Sequence, residues 1–166
     1  MKNHQLKLWL INALLAIVPL TAIGAETAAV NTEKPNHGEY RDWRALSVSH
    51  RLDKKLVRVI LGNHTAIIAA RSGKTNPWPD GTIFAKVGWK EKTHPNWPQA
   101  VVPGEFASAE AMVKDSKKYA ETGGWGFGHW EGKNLVMNDK EKSAPCFACH
   151  LPMKDKDYVY TSPVLQ

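Results

Sequence analysis

Residues 82–89 alternate in polarity and are rich in strand-forming side chains, which predicts a strand. Residues 46–51 and 56–61 are also strand-like, joined by the polar turn Leu52-Asp53-Lys54-Lys55. Residues 40–45, with Trp43, open the folded part. Asn63 is placed to cap a short helix over residues 64–71, whose Ala and Ile content suits packing on a sheet. Two stretches read as loops. One is 72–81, with Gly73, Pro77, Pro79 and Gly81, and the other is 90–104, with Pro95, Pro98 and Pro103. Beyond them the pattern predicts a strand at 106–113, a short helix at 116–121 ended by Gly123-Gly124, and a strand of large residues at 125–130. A helix at 140–151 and a last short strand at 157–161 complete the chain. These elements make an α+β fold, mainly antiparallel sheet with short helices.

The N-terminus departs from this pattern. Lys2 and Lys7 precede a largely apolar stretch at 8–23, and Ala22, Gly24 and Ala25 offer small residues for cleavage. That stretch is shorter than the roughly 20 residues of a membrane span. Residues 1–25 are therefore expected to be a signal peptide, cleaved near 24–25, that sends the protein to the periplasm. Residues 26–38 are polar and aperiodic, a flexible leader, and 39–166 form one domain. The mature chain of about 140 residues is of ordinary single-domain size. The formal net charge is +6, and the signal holds two lysines and no acid, leaving +4 (6 − 2). A mildly basic surface suits an acidic electron partner. The lysines are scattered rather than clustered, so no nucleic-acid partner is expected.

The chain has two cysteines, and they lie three residues apart in Cys146-Phe147-Ala148-Cys149-His150. This C-x-x-C-H string is the attachment pattern of a c-type haem. On one helical turn the two thiols can each reach a vinyl group of one porphyrin, and the next residue brings an imidazole beneath the iron. Other readings of two cysteines explain less. A thioredoxin-like pair sits near the start of a βαβ unit, not near a C-terminus. A structural zinc site needs four ligands, and there is no second cysteine pair. A plain disulfide leaves His150 unexplained. The motif therefore predicts one haem c per chain, on a C-terminal helix, with His150 as the metal ligand.

The other side of the iron is expected to be open. Only sixteen residues follow His150, and Met153 lies too near to cross to the opposite haem face. Met112 and Met137 lie in or beside apolar runs and read as core. His37, His50, His64, His94 and His129 read as surface or loop residues. A five-coordinate iron suits ligand binding or catalysis rather than simple electron relay.

Several segments, in order and spacing, resemble the cytochrome P-460 family, which includes the β-sheet-rich cytochromes c′ of the c′-beta group. They are Tyr40-Arg41-Asp42-Trp43, Pro79-Asp80-Gly81-Thr82 running to Ala85-Lys86, Val113-Lys114-Asp115-Ser116, Gly124-Trp125-Gly126-Phe127, and the cysteine motif followed by Asp157-Tyr158-Val159-Tyr160. The resemblance implies an antiparallel β fold, a homodimer, and one c-type haem per chain. In catalytic members, which oxidise hydroxylamine and pass electrons to a partner cytochrome, a lysine also bonds covalently to the porphyrin edge. Lys86 matches that lysine. The c′-beta relatives lack the crosslink and bind nitric oxide or carbon monoxide without turnover.

The strand pattern bears on that match. Thr82, Phe84, Lys86 and Gly88 share one face, so Lys86 points where Phe84 points. If Phe84 lines the haem pocket, the amine is aimed at the macrocycle, and in neutral form an amine is a nucleophile. Arg58 interrupts the apolar stripe of Leu56 and Ile60 and matches a family arginine near the distal pocket, where it can orient an anionic intermediate or a ligand. The resemblance also implies that the segment just before the cysteines can approach the distal side, which makes Glu141 a candidate acid or base. An edge-strand lysine, a surface-paired arginine and a solvated helix-start carboxylate are the plain alternatives. Changing Cys146 and Cys149 to alanine is expected to abolish the haem that survives denaturation. Covalent haem in that double variant, with Lys86 also removed, would overturn the attachment reading.

Overall fold

The computed structural model describes residues 39–164, and the expected signal peptide and the whole of the leader lie outside the described residues. Six strands form one antiparallel sheet in simple sequence order. They are β1 (Arg44–Arg51), β2 (Leu56–Gly62), β3 (Ile83–His94), β4 (Trp97–Lys114), β5 (Trp125–Glu131) and β6 (Asn134–Met137). Helix α1 (His64–Arg71) lies between β2 and β3, and α2 (Lys140–His150) follows β6. The expected α+β fold with a C-terminal helix is the fold observed. No described helix is long and apolar enough to cross a membrane.

Local chemistry explains where the helices start. Asn63 Oδ1 accepts the backbone N–H of Ala66 at 3.0 Å, and that of Ile83 at 3.1 Å. One side chain thus caps α1 and ties it to the strand after it. Asp139 caps α2 in the same way, accepting the N–H of Lys142 at 2.8 Å.

Three expected elements differ. Residues 90–104 are not a loop: β3 and β4 continue through them as a long hairpin, with bulges at Gly88/Trp89, Trp89/Glu91 and Thr93/His94. Beyond Lys90 and Glu110 the hairpin is not flanked by β2 and β5, so both strands are edges there. Prolines that lack an N–H are tolerated at such edges and bulges. Residues 116–121 form a turn and a short 3-10 turn, Ala120–Thr122, instead of a helix. Asp115 Oδ1 accepts the N–H groups of Lys117 and Lys118, which closes a local turn in place of a helical one. Residues 157–161 are not a strand, because Asp157 and Tyr158 have φ of 50° and 63° and reverse the chain.

The two sheet faces are covered differently. On one, α1 and α2 pack over Leu46, Phe84, Trp125 and Phe127, with Trp78 and Val159 from the loops. Phe84 is held edge-on by Trp78 at 4.9 Å and stacked on Trp125 at 5.4 Å. The other face carries Ala85, Val87, Ala109, Ala111, Tyr40 and Trp130. Gly62 shows how tightly α1 is seated: a Cβ there would lie 2.5 Å from Leu46 Cδ1 and 2.9 Å from Ala66 Cβ. Gly62→Ala is expected to cost about 1–3 kcal/mol by overpacking. Denaturant unfolding measures it, and an unchanged midpoint would mean that Leu46 and α1 yield freely.

Candidate functional site

Directly opposed residues in an antiparallel pair project to the same face, so the register sets out the helix-covered face in rows. Gly62, Phe84, Met112 and Phe127 form one row. The next is Ile60, Lys86, Glu110 and His129, and the third is Arg58, Gly88 and Ser108. Rows are about 7 Å apart, two residues along a strand. The first row is closed over by the helices. The second and third are more open: Ile60, Lys86, Arg58, Ser108 and His129 are half-buried and Glu110 is exposed. Gly88 lies between Arg58 and Ser108, where a Cβ would meet Arg58 Cγ and Ser108 Oγ, each at 3.8 Å. The glycine leaves a notch in the third row.

Helix α2 brings the cysteine motif to the edge of this open area. Cys146 and Cys149 are free thiols, the first half-buried and the second exposed. His150 ends the helix with its ring 5.5 Å from Phe127 and 5.4 Å from Tyr160. Its Nδ1 lies 2.7 Å from the Tyr158 carbonyl oxygen. A carbonyl only accepts, so Nδ1 carries the proton and Nε2 keeps its lone pair. That is the tautomer of a metal-binding histidine, oriented through its second nitrogen. Burial pushes the His150 imidazole below its ordinary pKa, with Lys86 adding to the shift and the Tyr158 bond and Glu110 opposing it. The neutral, ligating form is therefore favoured. Tyr160 Oη donates to the Cys149 carbonyl at 2.9 Å, which helps hold the helix end.

Lys86 and Glu110 face each other across the β3–β4 pair and form an ion pair. Both charges act on Cys146 as well: burial raises its pKa most, Glu110 adds to the rise and Lys86 opposes it. The Arg58 Nε donates to Ser49 Oγ at 3.2 Å, and Glu110 is among the charges acting on its guanidinium. The second and third rows and the motif thus share one electrostatic neighbourhood.

Over residues 37–161 the sequence matches the family model of cytochrome P460. The chain belongs to the cytochrome P460 family. No curated protein matches it. Haem and iron binding come with membership, and the residues of this cytochrome P460 member fit a haem. Two free thiols share a helical turn, an imidazole presents Nε2, and a half-open sheet face lies beside them.

Of the residues singled out in the sequence, Lys86 shares a neighbourhood with Cys146 and His150 of the motif, while Arg58 lies one row further along the face and is linked to it through Glu110. Lys86 does share its face with Phe84, but Phe84 is only 4 % exposed and is enclosed by Trp78 and Trp125. Glu141 is exposed on the first turn of α2, and the carboxylate acting on both Cys146 and His150 is that of Glu110. Glu110 is the residue sequence reasoning missed. The signal was present, since Glu110 is two positions from Met112 on the predicted 106–113 strand, but its partner depends on register. The half-exposed Lys86–Glu110 pair contributes little to folding. Glu110→Gln is expected to change stability by less than about 1 kcal/mol, and Lys114→Met, which strands buried Asp157, by about 3–5 kcal/mol. Urea unfolding gives both values. A larger loss for Glu110→Gln would make that pair a structural one.

Proposed function

We propose that this cytochrome P460 family member is an exported, mono-haem c-type cytochrome that oxidises hydroxylamine or a related small nitrogen species. Cys146 and Cys149 hold the haem, and His150 is the protein ligand of its iron. The observation that carries the reading is the Lys86–Glu110 ion pair on the half-open face, within electrostatic reach of both Cys146 and His150. The haem supplies an iron that accepts electrons from the substrate and passes them on. The chain supplies the rest. Oxidising hydroxylamine releases protons, and Glu110 is a carboxylate in the right neighbourhood to receive them. Lys86 is the amine proposed for the bond to the porphyrin edge. That bond replaces an amine N–H and a porphyrin C–H by one C–N bond, so it needs loss of the ammonium proton and a two-electron oxidant such as a peroxide. Arg58, beside the Gly88 notch, is the cation for an anionic ligand or intermediate.

A second reading is supported by the same pair. An amine held as an ammonium by a carboxylate is not a nucleophile, and without the crosslink the site would bind nitric oxide or carbon monoxide without turnover, as the c′-beta relatives do. The remaining parts of the proposal rest on other features. The N-terminal pattern supports export to the periplasm. The mildly basic charge supports an acidic redox partner, such as another cytochrome. The sheet face away from the helices, with Val48 and Phe106 more than half exposed, supports a homodimer.

The deciding measurement is peptide mapping of the purified holoprotein with an optical spectrum of its ferrous state. The expected results are a haem-bearing peptide that contains Lys86 and a spectrum displaced from that of an ordinary c-type haem. Lys86→Ala is expected to keep the haem, restore the ordinary spectrum and lose hydroxylamine oxidation while retaining nitric oxide binding. A wild-type digest with Lys86 free moves the conclusion to the binding function. Full hydroxylamine turnover by Lys86→Ala removes the catalytic role of the crosslink.

A further inference from the structure

Two segments distinctive in the sequence, 113–116 and 157–160, are joined by the fold through side chains that the site described above does not use. Lys114 ends β4 and Asp157 lies in the turn after α2, and their side chains are 5 % and 7 % exposed. The ammonium donates to both carboxylate oxygens, at 2.7 and 2.9 Å, and to the Gly123 carbonyl at 3.1 Å. All three of its donors are used. Asp157 Oδ2 also accepts the Trp78 backbone N–H at 2.8 Å, and the Asp157 carbonyl accepts the Trp125 indole N–H at 2.8 Å.

We propose that the buried Lys114–Asp157 pair is a positioning device for His150, holding the Tyr158 carbonyl on Nδ1 and thereby setting how strongly Nε2 donates to a haem iron. The inference rests on the reading that His150 is the iron's protein ligand. The path is one residue long. Asp157 and Tyr158 both lie in the left-handed region, which bulky side chains adopt only where the surroundings impose it. The four bonds to Asp157 hold it there, together with the Asp157 and Tyr158 N–H groups, which donate to the Lys154 and Met153 carbonyls at 3.1 and 2.8 Å, and the next carbonyl is the one that reaches His150. Lys114 acts on Tyr158 from a second direction. It grips the carbonyl of Gly123, and the missing Gly123 side chain makes room for the Tyr158 ring, since a Cβ there would lie 2.1 Å from it.

Stability alone does not account for the pair, because apolar residues of similar volume often serve a core as well as a buried ion pair. An apolar contact would not fix the direction of the Tyr158 carbonyl. A firm bond from Nδ1–H gives the imidazole more anionic character, strengthens its bond to iron and favours the ferric state.

The test uses the holoprotein and the double variant K114M/D157N, which leaves no charge stranded. The expected result is retained haem, a lower iron–histidine stretching frequency in the ferrous resonance Raman spectrum, and a ferric–ferrous equilibrium displaced toward ferrous. Tenfold is the expected scale, about 59 mV for one electron. Lys114→Arg, which keeps the charge and the donors, is expected to hold band and potential near wild type. A lower melting temperature with band and potential unchanged would make the pair structural only and overturn the inference. Should the double variant fail to accumulate, K114Q/D157N, which strands no charge and keeps an acceptor for Trp78, is read by the same two measurements. A His150→Ala protein that keeps the wild-type iron–histidine band would instead overturn the ligand reading beneath it.

Discussion

The buried bond between Lys114 and Asp157 is the constraint on which the site's end of the molecule depends. A charge pair removed from water is tolerated only when its remaining donors and acceptors are satisfied. Here satisfying them gathers the loop at Trp78, the end of β4, the Gly123 turn, Trp125 of β5 and the chain after α2. Two consecutive left-handed residues cost on the order of 1–3 kcal/mol each, and the hydrogen bonds around Asp157 offset that cost. The aromatic row of Trp78, Phe84 and Trp125 packs beside this anchor, with the Lys114 ammonium 5.0 Å from the Trp125 ring centroid. His150 inherits its ring orientation from this arrangement.

One sheet face therefore serves two purposes. Its first row is sealed by two helices and supplies rigidity, and its second and third rows stay half-open and carry charge. The change takes place within two residues of a strand, from Phe84 to Lys86 on β3 and from Met112 to Glu110 on β4. Sites on strands are held more firmly than sites on loops. The groups proposed to handle protons thus stand on the most regular part of the fold, while His150, the proposed ligand, sits at a helix end fixed by a turn.

Much of this was legible in the sequence, because the information is local. The C-x-x-C-H string, the Asn63 cap and the alternation at 82–89 each depend on neighbours a few residues away. The placement of Lys86 and Phe84 on one face follows from the strand period alone. What was not legible depends on pairing. Prolines at 95, 98 and 103 read as loop because the sequence does not reveal that the hairpin outruns its neighbouring strands. The family resemblance points to Glu141, before the cysteines, whereas Glu110 is found only from the register that sets it opposite Lys86. The 157–161 segment looked like a strand by its Tyr and Val content, and a buried lysine forty-three positions upstream turned it into a reversal.

The contrast between the molecule's two lysine–carboxylate pairs follows from burial. Lys114–Asp157 is sealed among aromatic rings, where a change at either partner leaves an uncompensated charge, so that pair suits fixed geometry. Lys86–Glu110 is a third to a half exposed, where water compensates a lost partner. A site that must hold a metal ligand still while moving protons needs both kinds of pair, and the strand order puts one at each end of the same face. A change at the exposed pair therefore leaves the buried pair, and the Tyr158 carbonyl beside it, in place. Under the proposed function, turnover and simple ligand binding differ by the fate of one amine, not by the scaffold.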